Sequence, residues 1–384
     1  MTLPIFRKSN PEDQMKTAQV THIYLPHIGG LEFYVKRLAD SLSADNINND
    51  VLTTDMNTVK EGRKTEARYF KTSWQYMRNP FSFDFIKHLK KNDYHILHLH
   101  SVWFLHGLLA VIFRRKARIV STIHGVYPDN LNLILKIFLN LYKPFISYVL
   151  NKSDYIFVYS AIEEEKLKRI FRTPGRKIVV LPMAINVEAY KDAPKEKTIL
   201  FTGRIIPDKN PDLLIKAAAL LDKKFHHYNI VFVGYADPVY KVKLLELAKE
   251  LNVRNEIKFA GHLDPSEENE KEKLMTHYRN ASVFTSLGSW EGQPTRLMEA
   301  MQFKTPVIAF AAGGTADFVF NNINGLVIHK LDEKILAEKL EMILSDESLA
   351  RKLGEEARKT IITNYNWETT YQKIAEVYKK VYGV

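Results

Sequence analysis

The sequence predicts an α/β protein with two doubly wound domains of similar size that face one another. Short β-branched or aromatic runs alternate with longer amphipathic segments, which is the pattern of parallel β-α units. The alternation is interrupted once, at the polar and proline-containing segment 192–197, and restarts at Thr198. A length of 384 residues suits two or three domains, and 46% hydrophobic with 26% charged residues is ordinary globular composition.

The first half of the chain contains six runs that predict strands. They are Val20–Leu25, Val51–Thr54, Ile96–His100, Ile119–Ile123, Tyr155–Val158 and Ile178–Leu181. Helices are predicted between them, among them Glu32–Leu42, whose apolar residues recur at i, i+4 and i+7 and share one face, and Asp84–Lys91. The apolar stretch 131–150 is interrupted by two lysines and a proline, so it predicts a buried or surface-lying helix and not a membrane span.

Segment 192–197 predicts an interdomain linker because it has no hydrophobic periodicity. Six further strands are predicted after it, at Ile199–Thr202, Ile230–Val233, Ile257–Phe259, Val283–Thr285, Val307–Ala309 and Leu326–Ile328. In open parallel sheets ligands bind beyond the carboxyl ends of the strands. The residues that follow each strand are therefore the candidates for chemistry.

Composition and charge narrow the function. The chain has no cysteine, which excludes disulfide frameworks, thiolate metal sites, cysteine nucleophiles and iron–sulfur clusters. Residues 1–19 contain no apolar run of the kind a signal peptide needs, so a cytoplasmic location is expected. Residues 1–190 hold 27 basic and 17 acidic side chains, which is +10 of the total +11. This asymmetry predicts an anionic partner for the first half, with plain solubility as an equally weighted alternative.

Glycines and histidines follow the predicted strands of the first half. Gly29 and Gly30 open the first helix, where free backbone N–H groups favour the binding of an anion. A tight turn without a ligand would have the same sequence pattern. His98 and His100 end the third strand and His124 follows the fourth, so these side chains should converge at one edge of the sheet. Zinc at His98 and His100 is disfavoured because no acidic third ligand stands nearby. The absence of a G-x-G-x-x-G motif counts against a nicotinamide cofactor.

Basic residues follow the first strand of the second half. Gly203 and Arg204 end that strand, and Lys209 comes five residues after Arg204. Two fixed positive charges at one strand end suit a diphosphate whose charge must be neutralised as it leaves. A solvated turn with ordinary basic side chains is the alternative.

Segment 289–300 is the most specific feature of the sequence. Glu291 and Glu299 stand eight residues apart, and Pro294 between them fits the first position of a helix. The N–H groups of the following turn would then be available to a phosphate. Two acids at a helix start are usually surface charges and caps, so the spacing gains meaning only from its surroundings.

The sequence motifs described above, taken in their order along the chain, resemble those of family 4 of the retaining GT-B glycosyltransferases. The resemblance extends from about Gln19 to the end of the chain. The matching elements are Gly29-Gly30, His124-Gly125, Gly203-Arg204 with Lys209, Glu291 with Glu299, and Gly313-Gly314. The E-x7-E spacing with its EG-x-P and EA flanks is the specific one. The resemblance implies a GT-B fold: an acceptor-side Rossmann-like domain over 1–190, a donor domain over 191–365, and a closing helix, 366–384, that crosses back to the first domain.

The resemblance also implies an activity: transfer of a hexosyl unit from a UDP- or GDP-linked sugar to an acceptor, with retained anomeric configuration and no metal or other cofactor. Arg204 and Lys209 would hold the diphosphate. Glu291 would contact the transferred sugar, and His124 a sugar hydroxyl beside the reacting carbon, which completes the implied catalytic set. The implied donor-binding residues are Gly29, Gly30, Gly203, Gly292, Gln293, Pro294, Thr295, Glu299, His262 and Leu263.

The sequence departs from the family pattern at three places. It has 182–184 Pro-Met-Ala where Pro-Asn-Gly is usual, and 234–236 Gly-Tyr-Ala where Gly-x-Gly is usual. Asp317 stands where a glutamate commonly follows the late glycine pair, which leaves the donor sugar open.

Two other functions and several partners remain open at this point. A sugar-nucleotide epimerase of the same architecture would act on the donor alone, and a non-catalytic protein could bind a sugar nucleotide with the same residues. The expected acceptor is a glycan or a lipid-linked molecule. Segments 81–91 and 113–118 combine apolar and basic residues, which predicts peripheral contact with an anionic membrane surface, with a core helix and a solvated turn as the alternative. Nucleic acid is not expected, because no aromatic-basic RNA signature or zinc knuckle is present.

Overall fold

The structure is a computed structural model that describes residues 14–25, 29–55, 67–76, 79–100, 102–125, 133–190, 193–265, 267–289 and 295–383. The chain divides into two compact units. Unit 1 comprises residues 1–182 together with 368–384, and unit 2 comprises residues 183–367.

Unit 1 is built on a seven-stranded sheet whose neighbouring strands are all parallel. Its strands are β1 (Lys16–Val20), β2 (Asn48–Thr54), β3 (Ala67–Phe70), β6 (Ile96–His100), β7 (Arg118–Thr122), β8 (Tyr155–Val158) and β9 (Ile178–Val180). Their order across the sheet is β3-β2-β1-β6-β7-β8-β9, while β4 (Trp74–Tyr76) and β5 (Asn79–Phe81) form a separate antiparallel hairpin. The strand order reverses between β1 and β6, which marks the point where a doubly wound sheet binds its ligand.

Helices cover both faces of this sheet. They are α1 (Gly30–Ala44), α2 (Phe83–Lys91), α3 (Leu105–Phe113), α4 (Leu133–Lys152), α5 (Ala161–Phe171) and the C-terminal α12 (Trp367–Tyr382). Helix α1 packs on one face of the sheet, and α2 to α5, which pack side by side, cover the other. The last helix returns to this unit: Tyr371 Oη donates to Asp45 Oδ2 at 2.7 Å, and the ring of Tyr382 lies 4.9 Å from that of His95.

Unit 2 repeats the architecture with a six-stranded parallel sheet. Its strands are β10 (Glu196–Thr202), β11 (Asn229–Val233), β12 (Ile257–Gly261), β13 (Ala281–Ser286), β14 (Val307–Phe310) and β15 (Leu326–Ile328). Its helices are α6 (Pro211–Ala218), α7 (Pro238–Glu250), α8 (Glu268–Asn280), α9 (Thr295–Gln302), α10 (Glu333–Ser345) and α11 (Glu347–Asn364). The order β12-β11-β10-β13-β14-β15 again reverses beside the first strand, so β10 and β13 flank the ligand-binding edge.

The predicted α/β class and the two doubly wound sheets are confirmed, but the first strand was placed wrongly. It covers Lys16–Val20 and not Val20–Leu25. The reason is chemical: Thr17 and Gln19 are fully buried, and their side chains hydrogen-bond to Asn49 inside the fold. Hydrophobic alternation cannot detect a strand whose buried positions are polar.

The predicted linker was also wrong in part. Glu196 and Lys197 belong to β10, and Lys195 is anchored in unit 2, since its Nζ donates to the carbonyl of Arg279 at 2.7 Å and to Thr305 Oγ1 at 2.8 Å. The division between the units lies earlier, after Pro182, because Ile185 forms a β-bridge with Asn366 of unit 2.

The apolar stretch 131–150 contributes α4, whose inner side chains Ile146, Val149 and Leu150 are buried in the core of unit 1. No helix in the described part of the chain is both long and apolar enough to cross a membrane.

Candidate functional site

A polar pocket lies at the carboxyl ends of β10 and β13 in unit 2. Among the described residues, its polar lining is formed by Thr202, Lys209, Thr285, Ser286 and Arg296. Lys209 ends a short 3₁₀ helix after β10, and Arg296 belongs to the first turn of α9. The pocket therefore combines two cations with hydroxyl groups at the edge where a doubly wound sheet binds its ligand.

Close packing at the strand ends fixes the position of Arg296. Gly203 has a φ of +121°, and a Cβ there would lie 2.6 Å from Arg296 Nη1 and 2.7 Å from its Cζ. The guanidinium therefore lies directly against the Gly203 backbone. Gly234, at the end of β11, is equally constrained, because its φ is +142° and a Cβ would lie 1.9 Å from the Gly203 carbonyl oxygen. Only glycine is compatible with both positions.

The loop that presents Lys209 is tied to the loop after β13. Asn210, in the left-handed conformation, donates from Nδ2 to the carbonyl of Leu287 at 2.7 Å and to Ser289 Oγ at 2.9 Å. These bonds hold Lys209 beside the pocket. Arg204 is exposed and is not among the described lining residues, so of the two predicted cations only Lys209 is brought to this pocket.

Glu299 lies on α9 and is held by a buried tyrosine. The hydroxyl of Tyr278 is 2.8 Å from Thr202 Oγ1 and also hydrogen-bonds to the Glu299 carboxylate. Burial, with the neighbouring Glu299 charge, raises the pKa of Tyr278 well above its usual value. Tyr278 therefore remains protonated and can orient the carboxylate at the end of β10.

The other predicted donor-binding residues of unit 2 divide into three groups. Thr295 is half-buried and begins α9, while His262 and Leu263 follow β12, the first exposed and the second half-buried. Glu291, Gly292, Gln293 and Pro294 lie outside the described residues. The glycine pair at 313–314 opens a short 3₁₀ helix, 313–317.

The predicted histidines of unit 1 converge in a buried hydrogen-bonded chain. His124 Nδ1 lies 2.6 Å from Tyr159 Oη, and His124 Nε2 lies 3.2 Å from His100 Nδ1. His100 Nε2 lies 2.8 Å from Gln19 Oε1. Tyr34 of α1 closes the cluster, with its ring edge-on to that of His124 at 5.1 Å.

The partners of this chain fix the tautomers. Gln19 donates from Nε2 to Asn49, so its oxygen faces His100 and His100 Nε2 bears the proton. His100 Nδ1 is then an acceptor, His124 donates to it from Nε2, and Tyr159 donates to His124 Nδ1. Burial lowers the pKa of His124 to about 3. The ring is consequently neutral near neutral pH, and both of its nitrogens are engaged within the protein.

A second branch links His98 to the C-terminal helix. The Tyr378 hydroxyl accepts from Gln19 Nε2 at 3.2 Å and donates to His98 Nδ1 at 2.7 Å, and His98 Nε2 donates to Thr122 Oγ1 at 2.7 Å. Burial lowers the pKa of His98 to about 3 and that of His100 well below its usual value. These bonds use the ring nitrogens that a metal would need. Within the described residues, no three histidine, aspartate or glutamate side chains are grouped to hold a metal ion.

Gly29 and Gly30 begin α1 in different surroundings. A Cβ at Gly29 would lie 2.5 Å from Glu32 Oε2, whereas no described atom lies within 4 Å of a Cβ built at Gly30. Glu32 is buried, which raises the pKa of its carboxyl. The helix start therefore holds a carboxylate over Gly29 and leaves the backbone at Gly30 open among the described atoms.

Comparison with known proteins agrees with this arrangement. The family model of glycosyl transferases group 1 matches residues 184–360, and that of glycosyltransferase family 4 matches residues 28–189. An uncharacterized glycosyltransferase of Methanocaldococcus jannaschii, MJ1607, is 25% identical over 95% of this chain and 98% of its own length. The Campylobacter jejuni GalNAc-alpha-(1->4)-GalNAc-alpha-(1->3)-diNAcBac-PP-undecaprenol alpha-1,4-N-acetyl-D-galactosaminyltransferase is 30% identical over 55% of this chain and 53% of its own length.

Among solved structures, Anabaena Alr3699/HepE in complex with UDP superposes with a TM-score of 0.76 at 15% identity, over 95% of this chain and all of that one. The same Anabaena protein has also been solved with UDP-glucose. Two parallel-sheet units with a strand-end cation pocket define a GT-B sugar-transferring enzyme. The chain belongs to the group 1, family 4 glycosyltransferases of GT-B fold.

The sequence did not single out three residues of these two clusters. Arg296 follows Pro294 and Thr295 at the start of a helix. From the sequence alone, a cation at this position is interpreted as an ordinary surface charge. Tyr278 and Tyr159 read as apolar core residues. A cation in the first turn of a helix is unfavourable against the helix dipole, and this is the one sequence signal that marked Arg296 as unusual.

Proposed function

We propose that the protein transfers a hexosyl unit from a UDP- or GDP-linked sugar to a hydroxyl of a glycan or lipid-linked acceptor, with retention of configuration and without a bound metal ion. The observation that supports this proposal is the pocket in which Lys209 and Arg296 lie together at the carboxyl ends of β10 and β13. The UDP and UDP-glucose complexes of the Anabaena protein support a uridine donor. The undecaprenol-linked acceptor named for the Campylobacter enzyme supports a lipid-linked one.

The chemistry requires neutralisation of a leaving diphosphate. The bond from the sugar C1 to the diphosphate oxygen breaks, the acceptor oxygen bonds to C1 on the face that the diphosphate left, and the acceptor proton departs with the leaving group. Negative charge builds on the diphosphate as this occurs, and fixed cations stabilise it. Arg296 suits this task because its guanidinium packs against the Gly203 backbone at the strand end and presents several donors to a diphosphate.

Glu299 is assigned to the ribose of the donor. A carboxylate accepts hydrogen bonds from two neighbouring hydroxyl groups, and Tyr278, itself hydrogen-bonded to Thr202, orients the Glu299 carboxylate. Arg204 is exposed at the same strand end, where it can reach a phosphate from the solvent side.

His124 is assigned a positioning role. Burial lowers the pKa of His124 to about 3, so its imidazole stays uncharged near neutral pH. Its ring nitrogens are used by Tyr159 and His100, so the group left for a sugar hydroxyl is the backbone around His124 and Gly125. Gly125 has a φ of +96°, and its carbonyl accepts from Trp103 Nε1 at 3.1 Å.

Titration calorimetry tests the donor assignment. UDP, GDP and ADP and their glucose conjugates are titrated without divalent metal into the full chain, Lys209→Met, Arg296→Met and Glu299→Ala. One nucleoside diphosphate should bind selectively, and each cation removed should weaken it about 10- to 100-fold, the range of a charge-assisted hydrogen bond. Lys216→Met is the matched control, because Lys216 pairs with Asp212 on α6 at 2.8 Å.

Two results would overturn the proposal. Folded protein that binds none of the nucleotides would show that the pocket is not a donor site. Equal weakening by Lys216→Met and Lys209→Met would show that only net charge matters. Release of UDP from UDP-glucose on addition of an acceptor glycan, with the product linkage read by NMR, then tests transfer and retention.

A further inference from the structure

Between residues 141 and 148, helix α4 exposes a line of apolar side chains to solvent. Leu141 is 71% exposed, Phe145 47% and Tyr148 43%, and with exposed Pro144 they form one line along the helix, which we name the α4 stripe. The opposite side of the same helix packs into the core of unit 1. A surface helix normally turns its apolar residues to the core and polar residues to solvent, so a second, exposed apolar line is unusual.

A basic pocket adjoins the end of this stripe. It is lined by Arg114, Arg115, Lys116, Arg118, Lys152 and a single acid, Asp154. Lys152 connects the two features, because it ends α4 and its Nζ lies 5.8 Å from the centre of the Tyr148 ring. Helix α4 itself contains three lysines and no acidic residue.

The two segments singled out in the sequence behave differently. In 81–91, Phe85 and Leu89 are buried in the core, while Phe83 at the start of α2 is 68% exposed. Segment 113–118 supplies most of the basic pocket.

We propose that the α4 stripe and the basic pocket together form a docking surface for an anionic lipid bilayer. Apolar and aromatic side chains of a surface helix enter the boundary between headgroups and acyl chains, and neighbouring cations contact anionic headgroups. Tyrosine with a lysine beside it suits that boundary, since both side chains have an apolar body and a polar tip. The occupant is a bilayer and not an acidic polymer, because a polymer would use the cations without needing the stripe.

Helix α7 of unit 2 shows that apolar exposure alone is not the signal. Val239 is 63% exposed, Val242 54% and Leu245 42%, which matches the α4 stripe. Yet α7 carries exposed Glu246 and Glu250 among its lysines. The pairing of an apolar stripe with a pocket of five cations sets α4 apart, and α7 provides a matched control.

Vesicle flotation of the full chain tests the surface. The vesicles are phosphatidylcholine alone, or phosphatidylcholine mixed with phosphatidylglycerol, at low and at physiological salt. Three glutamine variants are compared: the stripe variant (Leu141, Phe145 and Tyr148), the pocket variant (Arg114, Lys116 and Lys152) and the α7 control (Val239, Val242 and Leu245). Arg115 and Arg118 are kept because they pair with Asp93 and Asp154.

The unmodified chain should bind the anionic vesicles only. The pocket variant should bind about 100-fold more weakly, at about fivefold for each cation near a charged surface. The stripe variant should lose binding to a similar extent, and the α7 control should match the unmodified chain. A Phe145→Trp protein should show an emission shift to shorter wavelength on anionic vesicles only, which reports entry into the apolar boundary.

Four outcomes would overturn the proposal: no preference for anionic vesicles, unchanged binding of the stripe variant, equal loss in the α7 control, or no emission shift. Unchanged binding of the stripe variant with loss in the pocket variant would indicate an acidic polymer or nonspecific charge attraction. UDP titration of the same variants separates this test from the donor assignment, because the substituted positions lie outside the strand-end pocket of unit 2.

Discussion

The buried histidines of unit 1 predict a specific loss of stability in acid, and replacing His98 with glutamine isolates one of them. Burial lowers the pKa of His98 from 6.5 to about 3, and the side chain is fully buried. In the unfolded chain the His98 imidazole binds a proton as the pH falls below its ordinary pKa of 6.5. In the folded chain the same imidazole stays unprotonated at that pH. The free energy of unfolding is therefore at its full value above about pH 6.5. It falls as the pH decreases from there toward the pKa of the folded state.

The size of the effect follows from the shift. One pKa unit corresponds to about 1.4 kcal/mol, so lowering the pH from about 7.5 to about 5 should cost about 2 kcal/mol through His98 alone. His100 and His124 titrate in the same direction, and burial also lowers the pKa of His106 to about 4, so the total loss in the unmodified protein is larger. The substitution His98→Gln removes one group that binds a proton only in the unfolded chain. Its free energy of unfolding should therefore fall by about 2 kcal/mol less over the same range.

Urea unfolding at several pH values measures this difference, with hydrogen exchange of the β6 amides reporting on unit 1. The variant also loses hydrogen bonds, but that cost is nearly independent of pH and shifts the whole curve. His329→Gln, at an exposed position of unit 2, controls for the loss of an imidazole. Parallel pH curves for the unmodified and His98→Gln proteins would refute the reasoning, because they would show that His98 titrates alike in the folded and unfolded chains.

Further substitutions test the backbone and the C-terminal helix. Gly203→Ala should destabilise unit 2 by about 1–3 kcal/mol in thermal unfolding and weaken UDP binding, because φ is +121° and the new Cβ would displace Arg296. Gly30→Ala should keep stability or raise it slightly, since no described atom opposes the Cβ at that helix start, and an unstable variant would contradict this. Tyr378→Phe should cost about 1–3 kcal/mol in urea unfolding, because it leaves buried polar groups of Gln19 and His98 without this partner; unchanged stability would mean that the helix docks by apolar contact alone.

The sequence predicted most strands whose buried positions are apolar, misplaced β1, and did not predict β3, β4 or β5. Eleven of the twelve predicted strands overlap their observed positions closely, while β1 was displaced because Thr17 and Gln19 are buried for their hydrogen bonds and not for hydrophobicity. The same limit applies to the site. Histidines at strand ends could be predicted to converge, because parallel strands share an edge, and they do.

Partners that are distant in the chain could not be predicted. Tyr378 contacts Gln19 across 359 positions and His98 across 280. No local spacing encodes such a pairing, since it depends on the last helix returning to the first unit. The place of Arg296 at the start of a helix was evident from the sequence. Its contact with Gly203 depends on how α9 packs on the sheet of unit 2 and could not be predicted.

The positions of the charged groups in unit 1 bear on the net charge of +10 that residues 1–190 carry. The polar chain at the carboxyl edge of its sheet is made of neutral groups, because burial holds His98, His100 and His124 unprotonated. The cations gather instead at the amino edge, where α3 and α4 end and β7 begins with Arg118. Among the described residues, this cluster of five cations therefore lies away from the carboxyl edge with its neutral histidines. An anionic surface bound at the amino edge would leave the carboxyl edge available, so that docking and transfer would not compete for the same side chains.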